Sequence, residues 1–480
     1  MYKTRIGLEI HVQLATATKA FCRCSTDTTR VQANQNTCPV CTGQPGALPA
    51  LNREMIHLSI KAARGLRCKL NTGTRFDRKN YLYPDLPKGY QITQYYTPLA
   101  ENGYLSLYKN NRSKKVPIRR LHMEEDSGKT TYRRDKKTNR REQLIDYNRS
   151  GVPLIEIVTD PILDSPDEAS QFFEWLRITL IRLGITNGGL EKGEMRCDAN
   201  ISIQDSETGQ KTEKVEIKNL NSFKYLRQAL DYEEKRLTRM LTSKECDPSQ
   251  TRGWDEKRRA TYLLRTKESI GDYRYFPEPN LPLIDLDELP VIKPEIPELP
   301  DELLQRLIGE YGLSEEYAKV LACDLPLCRL FEETSRYVNP RRIIKWLMGE
   351  VRKKLKETGQ SVDETKLTPL KLKDLIENIK SGRITNSAGK KLLKKIMTSE
   401  KSVHNLIEET GMAQIRDRDY LDELFLNVMA EHPEQVEAYR YGKEGLLKYF
   451  IGLMMKRTRG KSDPGIVAEI AKRRLNEGEK

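Results

Sequence analysis

Residues 6–14 read IGLEIHVQL, with an apolar side chain at every even position from Ile6 to Leu14 and Gly7, Glu9, His11 and Gln13 between them. Side chains alternate across a β-strand, so the pattern predicts one buried face and one face bearing an acid, an imidazole and an amide. The same period recurs where Cys197, Ala199, Ile201 and Ile203 oppose Arg196, Asp198, Asn200 and Ser202, and again at 215–219. Helices lie between such strands. Over 165–183, Ser165 caps, Pro166 takes the first helical position, Glu168 completes a capping box and Gly184 stops the helix. Phe172, Phe173, Leu176, Leu180 and Leu183 form its apolar stripe, and Leu226, Leu230, Leu237 and Leu241 mark a second helix near 222–241. Short strands mixed with helices predict an α+β domain.

At 480 residues the chain is too long for a single core, and two or three domains are expected. Seven of its 23 prolines fall within 277–300, a density that neither a helix nor a central strand tolerates. Beyond them the period is helical: Leu303, Leu304, Leu307, Ile308 and Tyr311 share a face, and Thr368-Pro369 opens a helix that Gly382 closes. Residues 401–439 hold 3 basic and 9 acidic side chains and 440–480 hold 11 and 5, a reversal that suggests one face aimed at an anion. This reading places the α+β domain at 1–293, an all-α helical domain at 294–400 and a small helical tail domain at 401–480.

Eighty-three basic against 69 acidic residues leave a charge of +14, which favours anionic partners. No run of about 18 uncharged apolar residues predicts a membrane span, and no leader precedes the first strand, so a cytoplasmic location is expected. Nine cysteines are too few for a disulfide framework. Tyrosine outnumbers phenylalanine 22 to 9, which suits wet surfaces where a base or sugar stacks.

Cys22 and Cys24, then Cys38 and Cys41, form two knuckles that can wrap four thiolates around a structural zinc ion. Four reduced, unliganded cysteines are the alternative, and the first knuckle is C-x-C. Glu9 and His11 share a strand face with Gln13. The run His122-Met-Glu124-Glu125-Asp126 is acidic within a segment, 101–150, that holds 14 basic and 7 acidic residues. Carboxylates in such surroundings suit Mg²⁺, which takes a few carboxylates plus phosphate oxygens; an acidic turn neutralised by arginines is the plain alternative. Arg196, Asp198 and Asn200 add to a set sufficient for metal-assisted phosphoryl transfer. No phosphate-binding glycine loop with its lysine, dinucleotide fingerprint or glycine- and serine-rich amidase signature is present. The stretch Asp77–Tyr90 interleaves Lys79 and Lys88 with Tyr81, Tyr83 and Tyr90, a pattern that suits a nucleotide or a tRNA end as well as plain edge packing. Near the C-terminus an apolar helical stretch delivers Lys456, Arg457, Arg459 and Lys461, read as a phosphate-backbone contact with a solvated charge run as competitor.

Several long stretches resemble, in order, the B subunits of aspartyl/glutamyl-tRNA(Asn/Gln) amidotransferases: IGLEIHVQL (6–14), NTCPVCTGQPGALPALN (36–52), FDRKNYLYPDLPKGYQITQY (76–95), HMEEDSGK (122–129), DYNRSGVPLIEIVTDP (146–161), EMRCDANIS (194–202), VEIKNLNSF (215–223) and RTKESIGDYRYFPEPNLP (265–282). The tail resembles that family's tRNA-contacting domain. The resemblance implies a cradle-shaped catalytic domain, a helical domain and a tail, assembled with an amidase A subunit and a small C subunit into a heterotrimer. It implies that ATP phosphorylates the side-chain carboxylate of mischarged Glu-tRNA(Gln) or Asp-tRNA(Asn), and that glutamine-derived ammonia then displaces the phosphate. Glu9, His11 and Glu124 match the family's Mg²⁺ positions. Lys79, Tyr81, Arg196, Glu125, Asp198, Asn200 and Glu216 fall in its catalytic hollow, with Lys79, Tyr81 and Arg196 toward the cofactor. The four cysteines match its zinc-binding members. A non-catalytic tRNA-binding scaffold is the rival reading, and an aminoacyl-tRNA synthetase is disfavoured because no HIGH or KMSKS element occurs.

Overall fold

Strand β1 (Tyr2–Gln13) buries Ile6, Leu8, Ile10 and Val12 and lies at the middle of a nine-stranded sheet. The computed structural model describes residues 2–28, 31–109, 112–135, 139–243, 248–266, 273–288 and 294–477. The chain divides into two compact units, Met1–Gln305 and Arg306–Lys480. The 293/294 boundary expected from the prolines adjoins residues 289–293, and part of the RTKESIGDYRYFPEPNLP stretch is residues 267–272; both segments lie outside the described residues.

After β1 the first unit continues with α1 (Arg53–Gly65), β2 (Lys69–Leu70), β3 (Gly73–Thr74), β4 (Asp77–Asn80), β5 (Tyr90–Thr93), β6 (Ala100–Lys109) and β7 (Arg112–Glu125). There follow β8 (Lys129–Arg134), β9 (Arg141–Asp146), β10 (Pro153–Thr159), α2 (Pro166–Arg182), β11 (Met195–Asp205), β12 (Val215–Leu220) and α3 (Phe223–Ser243). Last come β13 (Gln250–Asp255), β14 (Ala260–Thr266), β15 (Phe276–Pro277) and β16 (Ile284–Asp285). The large sheet runs β14-β13-β12-β11-β1-β10-β7-β6-β2, with only β12 and β13 parallel, and β15-β4-β5 form a separate small sheet. This mixed sheet followed by a helical region is the α+β class.

Both expected helices form, and their stripes meet the apolar side of the sheet: Phe172, Phe173, Leu176, Leu180, Leu226 and Leu230 are fully buried. The cap of α2 differs in one respect. The Ser165 hydroxyl accepts from Glu168 N–H at 3.2 Å, but the Glu168 carboxylate accepts from Asp164 N–H at 2.7 Å instead of closing a capping box. Lys114 on β7, at 2.9 Å, draws that carboxylate away.

The second unit is helical among its described residues. Thr368 caps Pro369–Lys380 by accepting from Lys371 N–H, and Gly382 ends the turn at φ +70°. At the C-terminal end, helices Arg418–Glu431, Pro433–Arg440, Leu446–Arg457 and Pro464–Asn476 share a core of Phe425, Phe450, Met454, Val467 and Leu475. Part of the charge reversal read from sequence is neutralised internally. Asp422 binds both Arg473, at 2.7 Å, and Arg474, and Arg457 pairs with Glu431 at 2.6 Å. Within the described residues no helix is long and apolar enough to cross a membrane.

Candidate functional site

Register carries the polar residues of β1 into rows across one face of the sheet. Directly opposed residues of antiparallel strands share a face. His122 on β7, Glu156 on β10, His11 on β1 and Arg196 on β11 therefore form one row. The next row toward one side brings Glu124 through Leu154 to Gln13, and the next toward the other brings Glu9 beside Asp198. A further row carries Gly7, Asn200, Glu216 and Thr251.

At the centre His11 Nε2 lies 3.3 Å from Glu156 and 3.6 Å from Glu124, and His122 Nε2 lies 3.4 Å from Glu156. One donor atom from each of His11, Glu124 and Glu156 falls within 4.8 Å of the others. Burial opposes the His11 imidazolium, but the hydrogen bond and charge of Glu156, aided by Glu124, push its pKa up to about 9. Burial likewise opposes the Glu156 carboxylate, and His122 with His11 outweigh it and hold the group well below the usual range. Burial raises Glu124 and Glu9, and Glu156 adds repulsion to both. Glu9 accepts from Asn200 Nδ2 at 2.8 Å, while Asn200 Oδ1 is buried with no hydrogen-bond donor among the described residues.

These donors fit a hard divalent cation. Two crowded carboxyls whose charged forms are disfavoured, together with a buried amide oxygen lacking a donor, are groups that such an ion satisfies through oxygen. The family resemblance placed Glu9, His11 and Glu124 together; the fold seats Glu156 between the two histidines and leaves Glu9 one row away, bonded to Asn200 of the row beyond. Glu156 escaped notice although it is the one charge within the apolar strand β10, which was its available signal.

The acids read as one run, Glu124 to Asp126, diverge at the end of β7. Glu124 joins His11. Glu125 is buried in an ion pair with Lys88 and accepts from Ile92 N–H at 2.8 Å. Asp126 is held by Arg196 at 2.8 Å, Arg149 at 3.5 Å and Gln13 at 3.0 Å, and despite burial the two arginines keep it below its usual range. On the other flank Lys218, also missed, bridges Asp198 at 3.1 Å and Glu216 at 2.9 Å.

The small sheet adds cations and rings. Lys79 Nζ lies 5.7 Å from the Tyr81 ring centroid and 4.9 Å from that of Tyr273, and its charge reaches Glu124. Tyr95 and Tyr275 stack at 4.0 Å, and Tyr273 contacts both Tyr81 and Tyr275 edge to face. Burial, then the charge of Glu156, raises the Tyr275 hydroxyl. No local pattern links Tyr273 and Tyr275 to Tyr81; chain topology does.

The four cysteine sulfurs of Cys22, Cys24, Cys38 and Cys41 lie within 4.8 Å of one another. Cys38 N–H donates to Cys41 Sγ at 3.2 Å and Lys19 Nζ approaches it at 3.6 Å. The hydrogen bond from Cys22 depresses Cys41 to about 4, against its burial, whereas burial first, then the neighbouring sulfurs, push Cys24 up to about 11. One thiolate already favoured, among four sulfurs at this spacing, fits a tetrahedral thiophilic cation. Behind the second knuckle Gly43 has φ +68°, and a Cβ there would come within 2.6 Å of Lys88. In the second unit, Lys456, Arg457 and Arg459 are exposed around the end of Leu446–Arg457, and Lys461 is half-buried.

Fold and site together define an α+β enzyme domain with a charged sheet face, followed by a helical region. Two family models match this chain, the GatB/GatE catalytic domain over residues 4–291 and the GatB domain over 329–475. The B subunit of the aspartyl/glutamyl-tRNA(Asn/Gln) amidotransferase of Thermotoga maritima is 45% identical over 481 residues, covering 100% of both chains. The B subunits of the same amidotransferase from Thermodesulfovibrio yellowstonii and Clostridium tetani are each 40% identical over 479 residues, covering 99% of this chain and 100% and 99% of theirs. The chain belongs to the GatB family.

Proposed function

We propose that this chain is the B subunit of a tRNA-dependent amidotransferase, an ATP-using carbon–nitrogen ligase with glutamine as nitrogen donor. It amidates the side-chain carboxylate of mischarged Glu-tRNA(Gln), Asp-tRNA(Asn) or both. The observation that carries this reading is the set of polar rows on one sheet face, Glu9, His11, Glu124, Glu156, Asp198, Asn200 and Glu216, inside the region matched by the GatB/GatE catalytic domain.

His11, Glu124 and Glu156, with Glu9 and Asn200 beside them, would hold Mg²⁺. When bound, the ion screens charge as one anion attacks another and polarises phosphoryl oxygens. Lys79, close to Glu124, and Lys218, between Asp198 and Glu216, supply positive charge where phosphoryl oxygens must be received. Arg196 is oriented by Asp126 toward the same floor. The Tyr81, Tyr273, Tyr275 and Tyr95 rings offer stacking surfaces for a nucleobase, from ATP or from the tRNA end. The buried Lys88–Glu125 pair shapes the wall behind them. With no amidase signature in this chain, nitrogen is to come from an amidase A subunit, with a small C subunit completing the heterotrimer. Cys22, Cys24, Cys38 and Cys41 take a structural zinc ion. Residues 1–293 form the catalytic cradle, 294–400 the helical domain and 401–480 the tail that meets tRNA.

A scaffold without chemistry of its own is not favoured, because buried carboxylates with raised pKa are costly to keep for shape alone. The test is phosphate release from ATP by the assembled complex, which should require both Mg²⁺ and the mischarged tRNA. Glu9→Ala should abolish that release and leave tRNA binding intact. Full turnover in this variant would remove Glu9 from the site.

Replacing Lys456, Arg457, Arg459 and Lys461 together should weaken tRNA binding and lower the slope of log affinity against log salt by about 2 to 3, at 0.7–0.9 per lost phosphate contact. Arg457 contributes least because Glu431 already pairs with it. Filter binding over a salt series reads this directly, and an unchanged slope would remove the tail from the tRNA interface.

A further inference from the structure

Strands β8 and β9 form a two-stranded ribbon that joins no other sheet among the described residues, and none of its strand residues is buried. Its foot is fixed. Asn34 Nδ2 donates to Ile145 O at 2.9 Å, and the Tyr147 hydroxyl donates to Pro84 O at 2.8 Å. Cross-strand pairing sorts its charges by face. One face holds the pairs Lys129/Asp146, Thr131/Leu144 and Arg133/Glu142, and there Arg133 and Glu142 form an ion pair at 2.8 Å, so each cation has an acid opposite. The other face holds Thr130/Ile145, Tyr132/Gln143 and Arg134/Arg141 and carries no carboxylate.

Arg134 and Arg141 stand directly opposite each other, an arrangement in which like charges destabilise a strand pair. No carboxylate among the described residues pairs with either. The Arg141 guanidinium instead lies 4.1 Å over the Tyr132 ring, which is 57% exposed. A face with two opposed arginines, a stacked tyrosine and an amide, on a ribbon whose other face is neutralised, is complementary to closely spaced anions beside flat rings.

We propose that this face of the ribbon is an RNA-binding element, with Arg134 and Arg141 on successive backbone phosphates and Tyr132 and Gln143 against an adjoining ribose or base. The proposal rests on the reading of this chain as one that acts on tRNA, and it assigns a contact separate from the carboxylate cluster and from the basic end of the tail. RNA is favoured over an acidic protein surface because its phosphates recur at fixed spacing whatever the sequence. Guanidinium and tyrosine planes also stack on bases and riboses but gain little from flexible carboxylates.

The test uses the assembled enzyme, unacylated tRNA and a short RNA duplex copied from its acceptor arm. Arg134→Gln/Arg141→Gln should weaken binding of both RNAs roughly tenfold and lower the salt slope by about 1.4–1.8. Arg134→Lys/Arg141→Lys should restore the slope, which a loss of fold would not allow. Arg133→Gln/Glu142→Gln, on the other face and of unchanged net charge, should bind as wild type. An unchanged slope in the double Gln variant, with amidation of mischarged tRNA intact in the wild type, overturns the ribbon proposal and leaves the enzyme reading standing. A wild type that amidates nothing while the Gln variant still loses duplex binding overturns the enzyme reading instead. Loss of the partner proteins from the purified Gln variant with its RNA slope unchanged assigns the ribbon to a protein contact and also overturns the proposal.

Discussion

Glu124→Gln in the assembled enzyme is expected to lower the rate of amidation by about 10²–10³-fold, the range seen when one preorganised charge-stabilising group is removed from a reacting centre. The change keeps side-chain volume but removes a charge that faces His11 at 3.6 Å, within the set completed by Glu156. With one anionic donor fewer, the Mg²⁺ concentration for half-maximal rate should rise, while affinity for tRNA and glutamine hydrolysis by the amidase partner stay near wild type. Glu125→Gln is the informative neighbour. Its carboxylate answers to Lys88 and Ile92 N–H, so this variant should leave the Mg²⁺ requirement unmoved even where it slows the reaction. Steady-state rates over a Mg²⁺ titration separate the two. Equal Mg²⁺ dependence in Glu124→Gln and wild type would exclude Glu124 as a ligand.

The second large effect is expected at the cysteines. Cys38→Ser/Cys41→Ser, or prolonged chelation of the wild type, should strip one zinc ion per chain and lower the thermal midpoint. Metal-binding free energies in isolated zinc fingers, about 10–16 kcal/mol, set the upper bound, and a domain with a core of its own should lose only a fraction of that. The loss should spread beyond the knuckles. Cys41 O accepts from the Ser150 hydroxyl at 3.0 Å, and Gly43 packs on Lys88, the partner of Glu125. Amide exchange should therefore quicken over residues 36–44 and around 150–152 together. Purified protein with no zinc and full protection in both segments would show that the four thiols need no metal.

Much of the polar sheet face was legible from local pattern. Period two in β1 and β11 places Glu9, His11 and Gln13, and Arg196, Asp198 and Asn200, on polar faces whatever the rest of the chain does, because pleat geometry alone decides it. Capping and stop residues located α2 to within a residue or two, although the Glu168 carboxylate went to Asp164 N–H and Lys114, a competitor that only tertiary packing supplies. The acidic run at 124–126 was visible, but its meaning as one ligand set was not. Consecutive strand residues point apart, and each of the three found a different partner.

Composition and spacing by themselves determined the α+β class, the helical remainder, the cysteine set and the polar face of β1 with Glu9, His11 and Gln13, since these depend on residues close in sequence. Tertiary structure alone decided that Glu156 sits between His11 and His122, that Lys218 joins Asp198 to Glu216, that Tyr275 stacks on Tyr95, and that Arg134 opposes Arg141 on a face without acids. Each is a matter of which segments the fold lays side by side and, for the charged pairs, in what strand register. For the charged groups on paired strands, a shift of one residue in register would turn one partner to the other face, so the charges that meet are chosen by long-range pairing.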